Sequence, residues 1–425
     1  MRTSRVIAGL VCLCAASSAD AQTKALRFAA VVDGTGPVVE RGVVIVNDGR
    51  IVRVAGPDDP LPPEAELVDL SRYTAIPGLI DVHTHMTYYW DATSGTNPWR
   101  QPQRTPAQTV QLARANALAT LETGVTTVRD LGASNYTDIA LRDSINTAGW
   151  IGPRMFVAGY GLQRARPPYR ANTDTTRTQR GRIFDISQIP IAVRQQVDAG
   201  ADYIKVYGST GTGADVSGAE TFSYDEMRAA VDAAKALGKR IAIHSYGPVG
   251  GRDAVRAGTT SLEHAIDLDD STLAIMAQRG IYYVPTIDHN RFYAEYRREF
   301  QYTEQQAAGL DSFRLLNMET ARRAFRAGVK LGMGSDAVFN MFGQNTRELG
   351  WFVKIGMTPA QALETATVNG AAILGMEQTL GRIAPGYHAD IVAVDGDPLA
   401  DIDVVIDEVK WVMKDGRVVV DRTRP

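Results

Sequence analysis

Cysteine is almost missing from this 425-residue chain; the two present, Cys12 and Cys14, both fall near the N-terminus. The rest therefore cannot form a disulfide, use a thiol nucleophile or build a thiolate metal site. Charge of one sign is also lacking. A formal net charge of −3 gives no electrostatic reason to expect nucleic acid or an anionic membrane surface as a partner. There is no membrane span, because the apolar stretch "VIAGLVCLCAASSA" is too short to cross a bilayer and nothing later is long and apolar enough. No Gly-rich phosphate loop follows a strand, no solenoid repeat recurs, and no low-complexity tract interrupts the pattern. Histidine is scarce as well, with six residues. What remains is a globular composition, 44% hydrophobic and 22% charged, at a length suited to one large domain plus a small one.

The first 21 residues read as a secretion signal. Arg2 and Arg5 precede the apolar stretch, and Ala19-Asp20-Ala21 fits a small-x-small cleavage site. Removal would leave Gln22 first and shift the net charge from −3 to −4, since Arg2, Arg5 and Asp20 leave together. A lipid anchor through Cys14 fits less well, because Leu13 is bulky where a small residue is expected. The expected location is the periplasm or the exterior.

Two β-rich stretches, "VVIVNDGRIVRVAG" and "VKWVMKDGRVVVD", flank the chain. Each has an Asp-Gly pair, Asp48-Gly49 or Asp415-Gly416, between β-branched runs, which is a hairpin signature. The expectation is a small β-sandwich domain built from both termini, residues 22–74 and 376–425. Residues 75–375 alternate apolar strands with amphipathic helices such as 106–123, 224–237 and 314–327. Eight strand candidates are "AIPGLIDVHTH", "VTTVRDLG", "RMFVAGYG", "DYIKVYGS", "RIAIHSYG", "TSLEHAI", "YYVPTID" and "VKLGMGSDA". That alternation predicts α/β architecture, specifically a (β/α)8 TIM barrel; a doubly wound sheet is the alternative. After the third strand, 163–190 carries Arg164, Arg166, Arg170, Arg177, Arg180 and Arg182 with Pro167-Pro168. It reads either as a solvated loop or as a lid attracting an anionic substrate.

In a barrel, reactive groups gather at the C-terminal ends of strands. Strand one ends in His83 and His85, which at period 2 project side by side and can share a metal. Strand four holds Lys205 between Ile204 and Val206. Strand five ends in His244, strand six in His264 and strand eight in Asp336, while His289 follows strand seven. Each has a structural alternative: Lys205 as a snorkelling lysine, His244 and His264 as packed histidines, Asp336 as a helix cap. All of those alternatives would have to hold together.

In this order, "IPGLIDVHTH", "GVTTVRDLG", "IKVYGS", "IHSYG", "SLEHA", "GMGSDA" and "GRIAPGYHADIVAVDGDPLADI" resemble the amidohydrolase superfamily of metal-dependent hydrolases, over nearly all of the chain after residue 21. Within it the chain is most similar to secreted or periplasmic Xaa-Pro dipeptidase-like and ochratoxinase-like carboxypeptidases. The resemblance implies two divalent metals, zinc being the first expectation. His83, His85 and Asp336 would hold the more buried one, and His244 and His264 the other. Carbon dioxide would carboxylate Lys205, whose carbamate would bridge both. It further implies attack of a metal-bridging hydroxide on an amide carbonyl, with Asp336 carrying the proton to the leaving amine. Tyr207 and Tyr246 are candidates for oxyanion stabilisation or, alternatively, barrel packing. His289 is a candidate for a substrate carboxylate, and "MTYYWD" for an aromatic wall.

The expected reaction is hydrolysis of an amide bond to a C-terminal amino acid, in a dipeptide, an N-acyl amino acid or an ochratoxin-like amide. A lactonase, cyclic amidase or imidazolone-type hydrolase on the same scaffold is the alternative. Lys205 argues against a mononuclear deaminase, and the complete ligand set argues against a non-catalytic binding protein. Enzymes of this likeness are commonly homo-oligomers, so a homo-oligomer acting on a small-molecule or short-peptide substrate is expected.

Overall fold

The computed structural model describes residues 23–165, 180–211 and 219–423. The expected signal segment, and Arg166, Pro167, Pro168, Arg170 and Arg177, lie outside them.

The chain opens with β1 (Lys24–Val32), β2 (Val38–Glu40), β3 (Val43–Asn47), β4 (Arg50–Ala55) and β5 (Glu66–Pro77). β3 and β4 form the expected hairpin. Asp48 and Gly49 both take positive φ, 46° and 71°, as a type I′ turn requires and as Asp-Gly tolerates. After Gly78 comes β6 (Leu79–Thr84), followed by β7 (Val125–Asp130) and β8 (Arg154–Val157). Two short strands, β9 (Gln163–Arg164) and β10 (Arg182–Ile183), pair with each other. Next come β11 (Tyr203–Tyr207), β12 (Arg240–Ser245), β13 (Ser261–His264) and β14 (Tyr282–Val284). β15 (Ile391–Val394), β16 (Val409–Lys414) and β17 (Arg417–Asp421) return the chain to its beginning.

The two termini meet in one eight-stranded sheet, ordered β17-β16-β15-β5-β1-β3-β4 with β2 on β1. Its apolar face carries Leu26, Phe28, Val44, Ile51, Leu70, Ile391 and Trp411 in one buried cluster. The expected two-layer sandwich is thus represented by a single continuous sheet. β5 also runs past the expected boundary at residue 74 and leads directly into β6.

The middle of the chain is α/β, as the alternation required. Its parallel strands fall into two sheets, β6-β7-β8 and β11-β12-β13-β14. Helices Pro106–Glu122, Tyr224–Ala236 and Glu304–Arg326 cover the three expected helical stretches. Each begins at a Thr or Ser capping box, which satisfies the first free N–H groups. "VKLGMGSDA", expected as an eighth strand, forms no ladder. It touches β14 by a single bridge, Tyr283–Leu331, and β6 by another, Thr84–Ala337; a third bridge, Leu162–Val206, links the far side. Glycine explains the close packing of this segment. A Cβ on Gly334 would lie 2.4 Å from a Val284 methyl and 2.8 Å from the His83 Cβ.

Candidate active site

β6 is buried throughout, so its alternation sorts side chains between two interiors. Ile80 and Val82 pack with Ile373 and Leu374 of the helix Val368–Leu374, while Asp81 and His83 face the other way. Asp81 accepts hydrogen bonds from Ser335 and Asn345, tying the first strand end to the segment that carries Asp336. Asp336 N donates to His83 O at 2.7 Å.

All six expected metal ligands line one cavity of about 520 Å³: His83, His85, Lys205, His244, His264 and Asp336. Ligating atoms of His83, His264 and Asp336 lie within 4.8 Å of one another. The rings of His244 and His264 are 4.5 Å apart, those of His83 and His264 5.0 Å. His85 Nε2 is 3.3 Å from Asp336 Oδ1. His264 and Asp336 both sit at positive φ, 72° and 50°. That conformation is strained for a non-glycine residue, and such strain clusters at functional sites.

Hydrogen bonds fix the ring orientations. His83 Nδ1 donates to Glu263 Oε2 at 2.8 Å, and His85 Nδ1 donates to the Gly132 carbonyl at 3.0 Å. A ring so held, when neutral, presents the lone pair of Nε2 to the cavity, as a metal ligand must. His264 Nδ1 pairs with Thr286 Oγ1 at 2.7 Å. Burial, assisted by the Lys205 charge, pushes His83 down to about 4. Burial holds His244 and His264 well below the usual imidazole value. Burial acts the same way on His85, but Asp336 outweighs it and the net shift is upward. Asp336 resists its own burial: His289, His83 and His85 hold it well below the carboxylate range. Lys205 is pushed down to about 8, chiefly by burial. Its Nζ is buried and, among the described residues, has no hydrogen-bond partner.

The remaining expected residues divide. Tyr207 lines the cavity, but its ring lies in a slot where a Cβ on Gly161 would come within 2.3 Å, and its hydroxyl donates to the Leu131 carbonyl at 3.4 Å. Tyr246 stands edge-on to His244 at 4.5 Å. Among the described residues its hydroxyl has no partner. His289 sets Nε2 3.2 Å from Asp336 Oδ2, so it faces a carboxylate of the protein itself. Of "MTYYWD", Tyr88 stacks on His85 at 5.0 Å and lines the cavity. Trp90 is buried, its Nε1 donating to Thr96, and Tyr89 meets Arg104. The aromatic wall comes instead from Tyr88, Trp99 and Tyr293.

Glu263 and Arg129 were missed. Both are fully buried. Arg129 donates to Glu263 Oε1 at 3.0 Å and to the Val82 carbonyl at 2.5 Å, while Ser261 Oγ donates to Glu263 at 2.5 Å. Burial opposes ionisation of Glu263, yet Arg129 and His83 bring it down to about 2. It is therefore an ionised carboxylate behind His83. A charged residue inside each of the apolar runs "SLEHA" and "VTTVRDLG" was the available signal.

A buried set of imidazoles, a carboxylate and an amine around one cavity is a donor set suited to divalent metal ions. The chain belongs to the amidohydrolase family, whose match spans residues 74–419, and it is a hydrolytic enzyme. It is 28% identical to an ochratoxinase of Aspergillus niger over 426 residues, covering 92% of this chain and 84% of that protein. An imidazolonepropionase of Fusobacterium nucleatum is 23% identical, over 89% of each. A Xaa-Pro dipeptidase crystallised with methionine in its active site matches at 30% identity and a TM-score of 0.84, over 93% of this chain and 99% of that one. No helix among the described residues is long and apolar enough to cross a membrane.

Proposed function

We propose that the enzyme is a binuclear metal-dependent amidohydrolase releasing a C-terminal amino acid from a dipeptide, an N-acyl amino acid or an ochratoxin-like amide. One observation carries the metal reading. With Nδ1–H committed to Glu263 and the ring neutral, His83 turns an Nε2 lone pair toward the Asp336 carboxylate at 3.5 Å. A lone pair and an anion at that distance repel unless a cation lies between them. His83, His85 and Asp336 would hold one divalent ion, and His244 and His264 a second, zinc being suited to imidazole and carboxylate. Divalent ions there would polarise the scissile carbonyl and lower the pKa of the attacking water.

Lys205 fits the bridging role. Its lowered pKa makes the neutral amine accessible. Nζ then adds to the carbon of carbon dioxide, one C=O π bond opens and a proton leaves the nitrogen. The product is a carbamate anion on a side chain whose Nζ otherwise has no hydrogen-bond partner among the described residues. Asp336, held ionised, accepts a proton from the attacking water and passes it to the leaving nitrogen. The unpartnered Tyr246 hydroxyl is available to the carbonyl oxygen as negative charge develops there. The parallel sheets and three single bridges support a closed (β/α)8 barrel that brings these strand ends together. Export to the periplasm or exterior and homo-oligomeric assembly extend the same reading.

The imidazolonepropionase relative favours a second reading, opening of a cyclic amide or lactone. Zinc-loaded protein prepared with bicarbonate separates the two. Incubation with dipeptides, N-acyl amino acids, lactones and an imidazolone should release free C-terminal amino acid, with two metals per chain by elemental analysis. Ring opening without release of an amino acid would overturn the first reading.

A further inference from the structure

Resting on the amide reading, a carboxylate-bearing substrate needs a cation at the cavity rim, and the expected residue is poorly placed. His289 Nε2 already faces Asp336, so a second carboxylate beside His289 would meet the negative charge of Asp336. Two arginines line the same cavity, Arg164 and Arg182, on the paired strands β9 and β10. Arg164 is committed to Glu226, which the Ser223 capping box also engages. Arg182 has no ion pair and no side-chain hydrogen bond among the described residues, although it is exposed and lines the cavity. Its backbone is fixed by the β9 pairing, and Ile183 beside it is buried in the main core. The side chain therefore projects from an anchored strand rather than from a free loop.

We propose that Arg182 is the specificity-determining residue for the free carboxylate of the substrate's C-terminal amino acid. A guanidinium offers a planar pair of N–H donors that matches a carboxylate in a way a point charge does not. The pairing leaves no protein carboxylate to be displaced, and it sets the charged end of the substrate at the rim, away from Asp336. Holding that end fixes the scissile carbonyl over the imidazole cluster, which is a positioning contribution.

The test measures binding directly, so that it does not depend on turnover. Calorimetry would compare L-phenylalanine, an amino acid that the proposed reaction would release, with L-phenylalaninamide, on zinc-loaded wild type and on Arg182→Gln and Arg182→Lys. Wild type should bind the acid roughly tenfold more tightly than the amide, the span of a charge-assisted hydrogen bond at a solvent-facing site. Arg182→Gln should lose that preference, and Arg182→Lys should keep part of it. Acid binding that is equal in wild type and Arg182→Gln, or absent from both, overturns the assignment. A parallel assay of N-acetyl-L-phenylalanine for release of phenylalanine reports on the amide reading alone: wild type that binds the acid through Arg182 yet releases nothing removes that reading and leaves the carboxylate site standing.

Discussion

Two cations stand on the parallel strands, one at a strand's start and one at mid-strand, and their surroundings differ. Arg154 opens β8 at its N-terminal end. It reaches Asp390 at 2.5 Å, bonds Asp415, lies 3.3 Å from His388 Nδ1 and donates to Thr127. Both terminal nitrogens of its guanidinium have acceptors, and the network joins the terminal sheet to the α/β region. Near it Gly78 N donates to the Asp390 carbonyl, and a Cβ on Gly78 would lie 2.3 Å from Thr126 Oγ1. Lys205 lies in the middle of β11 and is more deeply buried; among the described residues its Nζ has no hydrogen-bond partner and meets the Tyr207 ring, 5.2 Å from its centroid. A cation ringed by acceptors is architecture. A buried amine with none is destabilising by itself, and retaining it requires a further use for it. The sixth histidine belongs to the first class: His388 pairs with Asp415 at 2.8 Å, far from the other five.

The same substitution at both places sharpens this contrast. Lys205→Met should abolish the metal bridge and lower kcat/KM for amino-acid release by roughly 10³-fold or more, about 4 kcal/mol of transition-state stabilisation. Metal content should fall with it, and added short carboxylates should restore part of the activity. Full activity in Lys205→Met without added acid would remove the bridging role. Arg154→Met should lower unfolding free energy by about 3 kcal/mol, because Asp390 loses its ion pair while Asp415 keeps only Lys414 and His388. Urea unfolding would measure this, and a loss below about 1 kcal/mol would show the cluster to be solvated in practice. In the metal-free protein Lys205→Met should have the opposite sign, raising stability by about 1–3 kcal/mol as an unsatisfied polar group is removed. If both variants lose stability alike, the distinction between the two sites fails.

The sequence exposed the strand-end residues because a period of 2 and an apolar run are local signals. His83, His85, Lys205, His244, His264 and Asp336 could each be placed from a few neighbours, and they share one cavity. Both Asp-Gly hairpins were legible for the same reason, since an Asp-Gly pair tolerates the required positive φ. What was not legible depends on separation. Glu263 meets Arg129 across 134 positions and His83 across 180, and no local pattern marks such partners beyond a charge inside an apolar run. Trp99 entered the aromatic wall in place of Trp90 because a turn between them, Trp90 Nε1 to Thr96 at 2.7 Å, draws one ring inward. The eighth strand looked regular in composition, yet Gly332 and Gly334 let it pack closely against Ile373 and Val284, and pairing there falls to single bridges.

The smallest effect should appear behind the site, at Glu348. Its two oxygens accept from Ile287 N at 2.8 Å and Asp288 N at 2.9 Å, which orients the turn leading to His289. Burial drives its carboxyl up to about 8, with Asp288 and Asp81 adding to the rise. A carboxyl whose folded value lies above its unfolded one binds more protons in the folded state across the interval between them. Its stabilising contribution is therefore complete below the unfolded value near 4.5 and is lost as pH rises through about 8. Between pH 5 and 9 wild-type stability should decline relative to Glu348→Gln, which cannot ionise. At the acid end the variant should be the weaker protein by about 1 kcal/mol, because one amide N–H₂ now meets a backbone donor. Toward pH 9 that gap should close or invert, since wild type then holds a buried anion beside Asp288. Thermal melts of the two proteins across this range would show converging curves, and parallel ones would assign the pH dependence to other groups.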